Sequence, residues 1–257
     1  NPRSPRILAV LVSLELKLER YAQAEEQLLK LLKDNPKHAS ANMLLGAVYL
    51  AQKNYTKAEG VFERQLVINP DSAAVYAELA KTRLLAGDIP GAIDIYEQGL
   101  EKVPDDVRLL TSLAQLHERQ KDYEGAMALY ERVLLSQPDN AISTNNLAAL
   151  LADHRSDKAS LAKAGELSKK LEKTNQPAFR DTAAWVYYRA GDYDKAAEIL
   201  TGVVEKAPKV PVFQYHLGMT YYKQGNKDAA RKHLTLATDG NFNYPGIEEA
   251  RITLKTL

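Results

Sequence analysis

Five histidines are the side chains of this sequence best suited to proton transfer or metal binding near neutral pH: His38, His117, His154, His216 and His233. They are scattered, and no two stand at the spacing that puts ligands on one helix face, as in HExxH or H-x₃₋₅-H. Cysteine is absent, which excludes disulfide scaffolds, thiolate metal sites and Cys nucleophiles. Glycines stand singly rather than in a cluster that could cradle a phosphate, and there is no GxSxG nucleophile elbow. Aspartates and glutamates are plentiful but fall on outward helix faces, where charge is usually solvated. His117 is expected to fill an aromatic core slot and His154 to be solvated in a polar turn. The chemistry on offer is therefore not catalysis: the reading is a non-enzyme without cofactor or metal.

The elements that carry these residues repeat. QKNYTKAEGVFERQLVINP at 52–70, AGDIPGAIDIYEQGLEKVP at 86–104, QKDYEGAMALYERVLLSQP at 120–138 and AGDYDKAAEILTGVVEKAP at 190–208 are variants of one phrase. Pro36, Pro70, Pro104 and Pro138 are evenly spaced, and Ala24, Ala58, Ala92, Ala126, Ala164, Ala196 and Ala230 share one place in the register. A period of this size signals a stack of supersecondary units. Windows open near 5, 39, 73, 107, 141, 177 and 211, with a capping helix at 245–257.

Each window holds two apolar stripes of helical period. Leu45, Val48 and Tyr49 form one, and Ala58, Val61, Phe62 and Leu66 the next. Between stripes lie KNY, GDI, KDY, GDY and GNK. Gly87, Gly191 and Gly225 suit a helix end with positive φ, and the Asp or Asn beside them suits the next N-cap. Proline then ends the second helix. Gly46 and Gly218, with Ala80, Ala114 and Ala148 at equivalent places, are expected to let paired helices approach closely.

These features resemble the tetratricopeptide repeat (TPR) family: Leu45-Gly46…Tyr49 and Leu217-Gly218…Tyr221 in first helices, and Ala58…Phe62…Pro70, Ala92…Tyr96…Pro104 and Ala126…Tyr130…Pro138 in second ones. The resemblance covers nearly all of residues 1–257 and implies a single all-α domain, a right-handed α-solenoid of helical hairpins forming a superhelix. Departures are Glu15 and His117 at aromatic positions and the irregular fifth window. There ADHRSDKAS at 152–160 is expected to lengthen the turn between helices by four residues and to bend the stack. The apolar run ILAVLVSLELKL at 7–18 predicts a first helix covered on two sides by another repeat or a partner. In the last helix, Ile247, Ile252 and Leu254 are expected to face the stack as a cap.

The resemblance also implies a concave groove lined by first-helix side chains. Carried onto this sequence, its positions are small or aliphatic early (Met43, Ala47, Leu50, Ala77, Lys81, Leu84). They are polar in the middle (Arg108, Thr111, Gln115, Arg119, Asn145, Ala149), and aromatic and basic late: Asp181, Trp185, Tyr188, Arg189, Tyr215, Met219, Tyr222 and Lys223. Trp185 and Tyr188 do not stand in for core aromatics, because Tyr187 and Tyr221 hold those slots, so they are expected to anchor a peptide or protein segment. The family's carboxylate clamp of Lys and Asn is not reproduced.

With 45% hydrophobic residues, 26% charged residues and a formal charge of +1, no basic excess points to nucleic acid or a membrane surface. The expectation is a protein-binding scaffold, the C-terminal part of a longer array, similar in general appearance to bacterial envelope proteins that serve exopolysaccharide export or sorting. Alternatives are the regulatory arm of a larger enzyme, or a scaffold that self-assembles into a homo-oligomer through its apolar first helix.

Overall fold

The computed structural model describes residues 5–257. Residues 1–4 lie outside the described residues. Among the described residues there are fifteen α-helices and no strand. The chain divides into two compact units, Asn1–Asp122 and Tyr123–Leu257.

The first unit contains α1 (Pro5–Lys17), α2 (Tyr21–Asp34), α3 (Ala39–Ala51), α4 (Tyr55–Ile68), α5 (Ala73–Leu85), α6 (Ile89–Lys102) and α7 (Val107–Arg119). Consecutive helices pack as antiparallel hairpins. Each later first helix also packs on the second helix before it, as α3 does on α2, and α1–α3 and α5–α7 touch as well. The second unit repeats the arrangement with α8 (Tyr123–Ser136), α9 (Ala141–His154), α10 (Lys158–Leu171), α11 (Pro177–Ala190), α12 (Tyr193–Lys206), α13 (Pro211–Lys223), α14 (Lys227–Thr238) and α15 (Ile247–Thr256).

The local chemistry explains where helices begin and end. Asn54, Asp88, Asp192 and Asn226 each accept a hydrogen bond from the backbone N–H three residues on, satisfying a donor that a helix start leaves unpaired. Just before each cap the chain turns through positive φ, +87° at Gly87 and +78° at Gly225. Where the repeat has no glycine, Lys53 and Lys121 adopt the same conformation at +58° and +63°, a strain that the surrounding cap holds in place.

The alanine register is a packing register. Ala24, Ala58, Ala92, Ala126, Ala164, Ala196 and Ala230 are completely buried. A Cβ added at Gly46 would collide with the ring of Phe62, and one at Gly218 would stand 2.8 Å from Leu234 Cδ2. Small residues at these places set the distance between paired helices.

Two local expectations are corrected. The irregular stretch at 152–160 is not a long loop. One extra residue extends α9 to His154, α10 starts three residues ahead of its alanine register, and the turn keeps three residues. Asp157 accepts from the Ser160 N–H at 2.9 Å and so starts α10 early. Ile252 does not face the stack: it is 63% exposed, and the buried face of α15 is Ile247, Ala250 and Thr253. On α1, Leu8 and Val12 are buried, while Ile7, Val10, Leu11 and Leu14 are exposed.

Candidate functional site

The residues expected to meet a partner lie on the first helices, and the two units present different surfaces there. In the first unit an open cleft of about 520 Å³ is lined by Ala9 of α1, by Ser40, Met43 and Leu44 of α3, and by Ala74 and Val75 of α5. The end of α4 closes it, through Gln65 and Ile68, with Lys37 also in its lining. Met43, expected in the small and aliphatic zone, lines this cleft. Gln115 and Arg119, on α7 of the same unit, are exposed.

In the second unit the aromatic residues do come together, but as a floor. Trp185 stacks on Tyr188 with ring centroids 4.4 Å apart and planes 9° apart, and on His216 of α13 at 4.1 Å. Its indole N–H donates to Asp153 Oδ1 at the end of α9, 2.7 Å away. One side chain thus ties α9, α11 and α13. Tyr215 lies tilted against the Trp185 ring at 5.6 Å and donates its hydroxyl to Glu249 of α15 at 2.6 Å.

The burial that results corrects the expected role of these rings. Trp185 and Tyr188 are 8% exposed, and Tyr215 and Met219 2%. All four belong to the apolar core of the unit. Tyr187 and Tyr221, expected to be the core aromatics, are only half-buried. The reason is geometric. Successive first helices pack on one another here, so a large ring pointing from α11 toward α13 is covered by its neighbour, while the nominal core slot lies nearer the surface.

What remains open is the rim. Tyr222 is 37% exposed, and Arg189 and Lys223 are exposed. Burial, followed by the charge of Glu249, pushes the Tyr188 phenol up to about 12, and Tyr193, Arg189 and Tyr222 lie close enough to act on it as well. Burial, then the hydrogen bond to Glu249 and its charge, push the Tyr215 phenol up further. On α9, half-buried Asn145 donates to Asn146 Oδ1 at 3.1 Å, while its own Oδ1 has no hydrogen-bond partner.

Beneath the rings, buried Asp181 faces His216 Nδ1 with both carboxylate oxygens at 2.9 Å. Burial pushes the Asp181 carboxyl up and the histidine opposes that rise. Sequence reading placed Asp181 in the groove but missed this pairing. The two residues lie 35 apart, one repeat plus one residue, and that spacing is the signal that could have found it. His117, far from a closed aromatic slot, reaches the surface and meets Asp122 at 2.6 Å. His154 is exposed, as expected, and stacks on Tyr123 at 3.6 Å. Among the described residues no group of three or more His, Cys, Asp or Glu could hold a metal ion. None of their helices is long and apolar enough to cross a membrane.

Comparison with known proteins now decides the class. Tetratricopeptide repeat families match residues 10–73, and residues 49–116, 83–153 and 187–245. The chain belongs to the tetratricopeptide repeat family. Similar solved structures include a TPR protein from Parabacteroides merdae (TM-score 0.66, 15% identity, 91% of this chain and 86% of that one). Pseudomonas aeruginosa PilF is similar too (0.63, 21%, 84% and 96%). A third is a chain of the APC/C hetero-tetramer Cut9–Hcn1 (0.63, 16%, 99% and 49%). At these identities the likeness is one of fold. No curated protein matches the sequence. As a TPR protein the chain is in general terms a protein–protein interaction scaffold, of a fold that is typically non-catalytic.

Proposed function

We propose that the Tyr123–Leu257 unit binds a peptide or protein segment on its first-helix face, with Tyr222, Arg189 and Lys223 as direct contacts. The observation that carries this reading is an exposed tyrosine, with exposed Lys223 beside it at the end of α13 and exposed Arg189 at the end of α11, set beside a floor of interlocked rings. Aromatic and arginine side chains are the usual energetic anchors of interfaces. Contacts seated on a floor that is already rigid lose little conformational freedom on binding. Trp185, Tyr188, Tyr215 and Met219 act here by holding that floor. Half-buried Asn145 on α9 is a further polar position of that face. Gln115 and Arg119 on α7, and the cleft beside Met43, are further polar and apolar contacts on the first unit.

The working context is a bacterial envelope export or sorting assembly. PilF and PilW share the fold, and PilW is a type IV pilus biogenesis factor. Fractionation of cells into periplasmic, membrane and cytoplasmic pools tests that compartment.

The binding face is tested by affinity capture with the wild-type chain and a Tyr222→Ala/Arg189→Ala/Lys223→Ala triple variant. The triple variant should lose its specific partner while its circular dichroism and melting stay close to wild type. Capture of the same partners in the same amounts by both proteins would overturn the assignment.

A further inference from the structure

The floor of rings in the second unit leaves one polar group unused. Tyr188 is 8% exposed, with its ring stacked on Trp185. Its hydroxyl nevertheless has no hydrogen-bond partner among the described residues, and it is not sealed from solvent. A buried phenol ordinarily finds a partner, as the neighbouring Tyr215 and Tyr187 do in Glu249 and Glu172. After burial, the ionisation of Tyr188 answers first to the Glu249 charge and then to Tyr193, Arg189 and Tyr222, so these groups stand around the hydroxyl.

A carboxylate beside it is unused as well. Glu249 is exposed on α15; its Oε2 accepts from Tyr215, and among the described residues no cation pairs with it. Arg251 of the same helix pairs with Glu248 instead. On the α9 side, exposed Asp153 accepts from Trp185, and its charge reaches the Tyr215 phenol. The cations of this face are held apart from Glu249. Arg189 makes no ion pair among the described residues. Lys223 lies eight residues beyond Tyr215 on α13, about 12 Å along the helix.

We propose that this corner is a subsite for one basic side chain, an arginine or lysine of the bound segment, an inference that presupposes binding on the first-helix face. Glu249 supplies the opposite charge on a side chain already fixed by Tyr215. The Tyr188 hydroxyl accepts one N–H, and the exposed ring of Tyr222 is a wall on which a cation can rest. Arginine satisfies all three at once, because its planar fork donates in several directions and stacks on rings. An acidic residue at the same place would meet Glu249 with like charge, and belongs instead with Arg189 and Lys223. An apolar residue would desolvate the Glu249 carboxylate without pairing it.

A display library of random short peptides, selected on the immobilised chain, tests the subsite. Peptides retained by wild type should share an arginine or lysine at one position. Glu249→Gln keeps a carbonyl acceptor for Tyr215 but loses the charge, and should weaken binding of a selected peptide by about tenfold. Tyr188→Phe removes only the unpartnered hydroxyl and should weaken it several-fold at an unchanged melting temperature, which keeps the test decisive if Glu249→Gln loosens α15. Glu249→Lys should turn the selection toward Asp or Glu at that position. Two results overturn the subsite and leave the binding face standing. One is a set of peptides that need Tyr222, Arg189 and Lys223 yet share no basic residue. The other is a selected peptide that binds wild type, Glu249→Gln and Tyr188→Phe equally. Peptides held equally by the Tyr222→Ala/Arg189→Ala/Lys223→Ala variant, or none retained above background, overturn the face and the subsite with it.

Discussion

Replacing Trp185 by alanine separates a ring that holds the fold from a ring that waits for a partner. The side chain is 8% exposed, stacked between Tyr188 and His216, and hydrogen-bonded to Asp153. Truncating a buried tryptophan costs about 3–5 kcal/mol through lost burial and the cavity left behind. The two stacked rings add about 0.5–1.5 kcal/mol per pair to what area alone explains. Set against a total stability of about 5–15 kcal/mol for a domain, the loss is a large fraction. Trp185→Phe keeps most of the ring and removes the indole N–H. Asp153 is exposed and rehydrates, so that change should cost only about 0.5–1.5 kcal/mol beyond the smaller ring's packing. Tyr222→Ala, at the open rim, should cost less than about 1 kcal/mol. The expected order of urea midpoints is therefore Tyr222→Ala nearest wild type, then Trp185→Phe, and Trp185→Ala far below. Far-UV circular dichroism reads the midpoints without relying on the only tryptophan. Because stacked repeats unfold in segments, hydrogen exchange localises the damage, which should concentrate in α9, α11 and α13. A Trp185→Ala chain that unfolds at the wild-type midpoint with unchanged exchange in those helices would refute the reasoning and return the ring to the role of open anchor.

Other consequences follow from single contacts. Gly46→Ala should destabilise the first unit even though alanine favours a helix by about 0.5–1 kcal/mol, because its Cβ collides with fully buried Phe62 and overpacking costs about 1–3 kcal/mol. In a Phe62→Leu background the same change should cost less, and urea midpoints of the four chains measure the coupling. Glu25 joins three helices. Burial acts to raise its carboxyl, but hydrogen bonds from Tyr49, Lys57 and Gln52 outweigh that and hold it below its ordinary 4.5. A depressed folded value means that this stability is present above pH 4.5 and is lost as the pH falls through the folded value. Melting curves below pH 5 should accordingly be flatter for Glu25→Gln than for wild type. Tyr49 and Tyr188, raised mainly by burial to about 12, contribute stability that is present below pH 10 and lost as the pH rises through 12. A phenolate absorbance titration should show both ionising late, with Tyr188→Phe removing one late step.

How much of this was legible before any coordinates depends on whether a property is set by neighbours in sequence. The hairpin unit was legible because its determinants are local. The 3.6-residue apolar stripes, the Asn and Asp caps, the positive-φ glycines and the small residues at Gly46, Gly218 and the seven alanines all act within one window. Repetition then fixed the family. The absence of catalytic spacing was legible for the same reason, as was the placement of the late aromatics on first helices.

Burial was not legible, because it depends on what stands next to a helix rather than on the helix itself. The tertiary structure decided that Trp185 and Tyr188 are floor and Tyr222 rim, since the packing of α11 between α9 and α13 covers the first two and leaves the third. It also paired Asp181 with His216 across neighbouring repeats and turned Ile252 outward. The extra residues of the fifth window went into helix ends instead of a loop, since Asp157 can cap a helix and an unpaired turn cannot satisfy its own backbone. The apolar run of α1 spreads over nearly every face, and only packing made Leu8 and Val12 its buried side.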